Sequence, residues 1–318
     1  MSESILTVNL CRYFGHVIAL EDVNIKVNKG EIFGLLGPNG SGKTTLIRIL
    51  STALLPSKGD AYVLGYDVKK DFLKIRKYIN VVSGDERAGY GVLTVKENLW
   101  FFSQLYGYSR AEGWKIVNEL IEKFGMQEYA DRKINRISHG MFQKYNFVRG
   151  LLNNPLVLFL DEPTLGLDVN ISREIRNYIK EWIKEDKERT IILTTHYMAE
   201  AQELCDRVAI IYKGKIVALD TVENLLKILA KESVYEIKTS LINQNEKINI
   251  PGIKAIDIEN DPARMVSKLR VVVSEDSVIS DLLSFLKNKG IKIINLTKDE
   301  VTLEDVFLYL VGKKLWAS

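Results

Sequence analysis

The sequence predicts an α/β protein: a core of buried strands alternating with helices, a helical insertion, and a small C-terminal α+β domain. Three observations carry this. Strand and helix patterns alternate through the first half of the chain. One strongly apolar strand, residues 31–36, runs straight into a glycine-rich segment that opens a helix. After about residue 230 the texture changes to short alternating strands around one helix.

Taken in order, residues 5–10 are apolar and β-branched, as a strand requires. Val23, Ile25 and Val27 alternate with Asn24 and Lys26, the period of a half-buried strand. Residues 43–51 read as a helix and 78–82 as a short strand. From about 95 to 150 the period is helical, as in Trp114, Val117, Leu120, Ile121 and Phe124. Strands resume at 156–160 and 190–194, with a helical pattern between them. Residues 207–212 and 215–219, joined by Lys213-Gly214, form a hairpin-like pair. Strands at 234–239, 269–273 and 291–296, a helix at 277–287 and a last helix at 303–311 complete the chain. The expected division is residues 1–225, with the helical part at 95–150, and residues 230–318.

Composition narrows the function classes. Of 318 residues, 46% are hydrophobic and 27% charged, which excludes a disordered, collagen-like or low-complexity chain. A net charge of +3 gives no electrostatic case for a nucleic-acid partner. No apolar run approaches the roughly 18 residues that span a bilayer. The N-terminus lacks a basic stretch followed by an apolar one, so no signal peptide is expected. Cys11 and Cys205 form no framework and read as reduced thiols.

Gly37-Pro38-Asn39-Gly40-Ser41-Gly42-Lys43-Thr44 fits the phosphate-loop pattern GxxxxGK[ST], between a strand and a helix as its mechanism demands. Glycines let backbone N–H groups turn inward around an anion, and the helix N-terminus adds its dipole. Lys43 is expected to reach the β- and γ-phosphates, Thr44 to ligate Mg²⁺, and Thr45 to touch a nearer phosphate. Such a site needs a second acid at the end of a neighbouring buried strand. Strand 156–160 ends in Asp161-Glu162. Asp161 is expected to hold Mg²⁺ and Glu162 to polarise the attacking water. Neighbouring acids on extended chain point oppositely, so the two need not share a role.

Ile137-Ser138-His139-Gly140-Met141-Phe142-Gln143-Lys144 resembles the signature of the ATP-binding cassette (ABC) ATPases, with Ile137 in place of the usual Leu or Tyr. Ser138 precedes Asp161 by 23 residues, room for a helix and a strand. The resemblance implies a P-loop NTPase core with an antiparallel β subdomain and a helical insertion. It implies that Ser138, His139, Gly140 and Met141 face the nucleotide of an opposite protomer, His139 at a tolerant position. Leu165-Gly166-Leu167-Asp168 resembles the family's D-loop and His196 its switch histidine. Phe14, before Gly15, matches the adenine-stacking aromatic, with Tyr13 the alternative. The glutamine usual between γ-phosphate and permease falls on Asp85, which accepts but cannot donate as an amide does.

The strings Gly84-Asp85-Glu86-Arg87, Glu97-Asn98-Leu99, Tyr197-Met198-Ala199-Glu200-Ala201 and Leu303-Glu304-Asp305-Val306-Phe307-Leu308 resemble the daunorubicin-resistance and sodium-extrusion exporter ATPases. The resemblance implies an ATPase subunit using ATP and Mg²⁺. Two such subunits pair head to tail, homodimeric as the expectation, and work with integral membrane permease subunits. The chain would then sit on the cytoplasmic face of the membrane. A soluble ABC ATPase of translation or DNA repair is the alternative, but such proteins usually carry two cassettes or a long coiled coil, and this chain has one cassette and no heptads. A GTPase would want Asn-Lys-x-Asp, and Asn288-Lys289-Gly290-Ile291 lacks the Asp.

Overall fold

The structure is a computed structural model that describes residues 3–84, 88–242 and 248–316. The chain divides into two compact units, residues 1–219 and 220–318. The expected division lay a few residues later. Thr221 caps the next helix, Val222–Lys227, whose Leu225 is buried.

In chain order the first unit runs β1 (Glu3–Phe14), β2 (Val17–Val23), β3 (Lys26–Asn28), β4 (Ile32–Leu36), α1 (Lys43–Leu50), β5 (Lys58–Val63), β6 (Tyr66–Asp67), α2 (Phe72–Tyr78) and β7 (Ile79–Ser83). It continues with α3 (Val95–Leu105), α4 (Arg110–Lys123), α5 (His139–Leu151), β8 (Val157–Asp161), α6 (Val169–Lys184), β9 (Thr190–Thr195), α7 (Met198–Leu204), β10 (Arg207–Tyr212) and β11 (Lys215–Thr221).

Six of these strands form one sheet in the order β11-β10-β4-β9-β8-β7, with every pairing from β10 to β7 parallel. Both faces of such a sheet are covered, so its strands read as unbroken apolar runs. Every residue of β4 and β9 is buried. Register sets the function. Leu36 pairs with Thr195, Asp161 with Thr194, and Ser83 with Asp161. The carboxyl ends of four adjacent strands therefore stop at one level, the usual place for a ligand in an open α/β sheet. A second, antiparallel sheet, β2-β1-β5-β6 with β3 on β1, shares a core with it through Leu10, Leu20, Phe33, Leu46 and Phe159.

The helical insertion is specified locally. Thr94 with Glu97 and Ser109 with Glu112 form reciprocal capping boxes at the starts of α3 and α4. Val117 and Ile121 on α4 are buried, with Phe124 just beyond it, the expected stripe.

The second unit holds α8 (Val222–Lys227), β12 (Ser233–Ser240), β13 (Ile253–Asp261), β14 (Val266–Val273), α9 (Ser277–Asn288), β15 (Ile293–Asp299) and α10 (Leu303–Trp316). Its antiparallel sheet runs β13-β14-β12-β15. Leu282 and Leu286 of α9 share a core with Ile237, Leu269 and Val271. Asp305, in the first turn of α10, is fully buried. It receives Nε and Nη2 of Arg270 at 2.6 and 2.9 Å and the Thr302 backbone N–H at 2.8 Å. That accounts for the acidic string at the C-terminus. Among the described residues no helix is long and apolar enough to cross a membrane.

Candidate nucleotide site

A cavity of about 360 Å³ opens at the carboxyl ends of the parallel strands. Asn39 to Thr45, Ser83, Asp161, Glu162, Leu165 and His196 line it, with Val17, Ile18 and Ala19 as an apolar wall.

The phosphate loop is shaped by its glycines where shape is required. Gly42 has φ +114, and a Cβ there would lie 2.5 Å from the Ala19 carbonyl. A Cβ on Gly37 would strike the Ile211 carbonyl at 2.2 Å. Gly37 and Pro38 do not line the cavity. Their carbonyls hold Lys43 Nζ from behind, at 2.7 and 3.3 Å. Lys43 is 5% exposed, so its ammonium is aimed, not free in solvent. Ser41 Oγ is buried with no partner among the described residues, an orphan hydroxyl beside an amide-lined turn, which suits a phosphate oxygen.

The two acids take different tasks, as their alternation predicts. Asp161 Oδ1 accepts from the Thr194 hydroxyl behind it and lies 3.3 Å from Thr44 Oγ1 in front. A carboxylate and a hydroxyl converging in this way form the hard-oxygen pair that Mg²⁺ favours alongside phosphate and water. Glu162 turns the other way. Its Oε2 lies 2.6 Å from His196 Nδ1, and a carboxylate only accepts, so the Nδ1 proton belongs to this contact. Its Oε1 lies 3.4 Å from Lys43 Nζ. Glu162 has φ +53, the left-handed region that a residue with a Cβ enters at a cost. Its N–H donates to the Thr194 carbonyl at 3.0 Å, which holds the turn.

The structure places the remaining sites outside this cavity. Ser138 caps α5, accepting from the Met141 N–H at 3.3 Å, and Ser138 and His139 are exposed. Gly140 packs on Ile171 of α6. Asp168 caps α6, accepting from the Asn170 and Ile171 N–H groups at 3.0 Å each. A Cβ on Gly166 would lie 3.7 Å from His139 Nε2, so the signature and D-loop segments adjoin on one exposed face that also carries Val169.

Phe14, the expected adenine-stacking ring, is not itself a lining residue of the cavity. It closes the β1–β2 hairpin, paired with Val17 across the turn, 46% exposed and with the Arg12 guanidinium 4.4 Å over its ring. Its hairpin partner Val17 is a lining residue, so Phe14 stands next to the apolar wall. Asp85 lies outside the described residues.

Gln143 and Gly84 stand in the sequence only as members of motif strings, with no contact assigned to either. Gln143, buried on α5, donates its amide N–H to the Gly84 carbonyl, and the Gly84 N–H donates to the Asp161 carbonyl at 2.9 Å. A Cβ on Gly84 would sit 2.2 Å from the Glu162 carbonyl. Gly84 thereby joins the signature helix to the acidic strand end. Only such cross-chain contacts reveal it.

The family described as ABC transporter matches residues 20–165. The linearmycin resistance ATP-binding protein LnrL of Bacillus subtilis is 33% identical over 312 residues, 96% of this chain and 98% of that one. The doxorubicin resistance ATP-binding protein DrrA of Mycobacterium tuberculosis is 39% identical over 284 residues, 82% of this chain and 85% of that one. Among solved structures, a dimeric ATP-binding cassette in a post-hydrolysis state with ADP and phosphate matches with a TM-score of 0.62. Its identity is 25%, over 68% of this chain and 98% of that chain.

Proposed function

The chain belongs to the ABC transporter family as the ATP-binding and ATP-hydrolysing subunit of an exporter, and from that premise we propose how its residues divide the work. The observation that carries the reading is Glu162, with one oxygen on His196 and the other facing Lys43 at the mouth of the phosphate loop. Lys43 and the amides of residues 39–45 bind the triphosphate, while Val17, Ile18 and Ala19 face the base. Thr44 and Asp161 would hold Mg²⁺, which when bound offsets phosphate charge. Glu162 accepts a proton from water as its oxygen attacks the γ-phosphorus. The bond from that phosphorus to the β,γ-bridging oxygen breaks, leaving ADP and phosphate. His196 fixes the Glu162 carboxylate and supports the γ-phosphate.

Ser138 lies outside its own chain's cavity on an exposed face beside the D-loop. This supports a head-to-tail dimer in which each ATP lies between one protomer's phosphate loop and the other's signature. Dimer closure on ATP and reopening on hydrolysis drive a separate integral membrane permease, on the cytoplasmic face of the membrane. Exposed apolar residues support a docking face for it: Leu73 and Tyr78 on α2, and Tyr106, whose hydroxyl accepts from Asn80 Nδ2 at 2.9 Å. Relatives named for resistance to linearmycin and doxorubicin support a small toxic molecule as cargo.

The shared-site reading is tested by mixing two inactive variants, Lys43→Ala and Ser138→Arg. Their heterodimer contains one intact composite site, so an equal mixture recovers about a quarter of wild-type hydrolysis if subunits exchange freely. No recovery at any ratio, with exchange verified by tagged subunits, overturns it.

A further inference from the structure

The helix after His196 carries a carboxylate that this hydrolytic reading does not use. Glu200 on α7 is 5% exposed. Its Oε1 accepts from Thr164 Oγ1 at 2.7 Å. Its Oε2 is buried without a partner among the described residues. Burial pushes its pKa up, against the opposing pull of the Thr164 hydroxyl and the Arg176 charge, while Glu162 raises it further. A carboxylate so placed is costly to bury, and a satisfied hydrogen bond in such surroundings is correspondingly firm.

Its position gives that cost a purpose. Thr164, itself buried, lies two residues after Glu162 and four before Asp168. Helix α7 begins two residues after His196. Glu200 therefore ties the chain leaving Glu162 to the chain leaving His196, behind the site where those residues meet directly. The left-handed Glu162 backbone persists only if both sides of it are held. Thr194 holds the incoming side through the Glu162 N–H. The Thr164–Glu200 bond holds the outgoing side.

We propose that Glu200 is a positioning residue for hydrolysis: through Thr164 it clamps the segment between Glu162 and the D-loop, keeping Glu162 and His196 in register. The inference rests on the hydrolytic role given above to that pair. In the full chain, Thr164→Val removes the donor at nearly constant volume, and Glu200→Ala removes the acceptor. Each should lower kcat about tenfold or more, the scale of a lost hydrogen bond to a carboxylate, with ATP affinity and KM unchanged within about twofold. Glu200→Gln keeps an acceptor oxygen and should recover most of the lost rate. The double variant should be no slower than Thr164→Val alone. If Glu200→Ala does not fold, Thr164→Val carries the test. Wild-type kcat in Thr164→Val, or a loss of rate matched by an equal loss of ATP binding, overturns the proposal. Glu162→Gln separates the two levels. If it retains turnover, the hydrolytic reading fails; if it is inactive while Thr164→Val is not slowed, only the clamp fails.

Discussion

Replacing Glu162 by Gln changes one charge and one proton acceptor at nearly constant shape. The side chain is 16% exposed, so solvent replaces little of what is lost. Removing a positioned general base costs about 10² to 10⁴ in rate. Binding should move the other way. At 3.4 Å, Coulomb's law with an effective dielectric near 20 puts the Lys43–Glu162 attraction at roughly 5 kcal/mol. Desolvation already suffered by both ions offsets most of it, leaving on the order of 1–2 kcal/mol. Once Gln stands at 162, Lys43 is committed wholly to phosphate, and ATP should bind roughly five- to thirtyfold tighter. Phosphate release at saturating Mg·ATP measures the first effect and titration with a fluorescent ATP analogue the second. Light scattering should show the mass doubling with ATP and staying doubled. Turnover within tenfold of wild type, or weakened ATP binding, would refute the assignment.

Three further outcomes follow from contacts already described. Gly84→Ala forces a Cβ to within 2.2 Å of the Glu162 carbonyl, so the strand end must shift. The expected cost is about 1–3 kcal/mol of stability with a fall in kcat, and a stable, fully active variant would contradict it. Asp305→Ala leaves Arg270 half-buried without its main carboxylate and should destabilise the second unit by about 3–5 kcal/mol. Amide exchange in β14 and α10 should report this, and unchanged protection there would count against it. Hydrogen bonding from Lys298, then from Ser233 and Tyr235, holds the Asp276 carboxyl at about 2. Because that is below the ordinary value of about 3.9, the contact stabilises fully above that value and is lost as pH falls through the folded pKa. Lys298→Ala should move the NMR-detected Asp276 titration upward, and no movement would dismiss the contact.

Legibility in the sequence followed mechanism. Lys43, Thr44, Asp161, Glu162 and His196 converge on one cavity; the first four are readable because phosphate chemistry fixes residue type and context, and His196 only through the family resemblance. The parallel strands were readable because burial on both faces leaves an unbroken apolar run, as in residues 32–36. β5 was not, since Lys58-Gly59-Asp60 gives its first half no apolar face. β13 does carry the alternation Ile256-Asp257-Ile258-Glu259, yet no strand was expected there, because one turn of alternation next to Pro262 also suits a loop. Adjacency to Gly15 marks Phe14 as part of a turn but does not say which way the hairpin end faces. Gly84, Gln143 and Glu200 act through contacts dozens of residues away, and single-sequence reading has no access to those.

The backbone of Glu162 has a consequence for how such a protein can change. Its φ of +53 is a conformation that Gly adopts freely and Asn more readily than Glu. The residue therefore holds its position against the preference of its own peptide unit. Replacement by Gly or Asn should therefore relieve backbone strain and raise stability, while removing the carboxylate that meets His196 and faces Lys43.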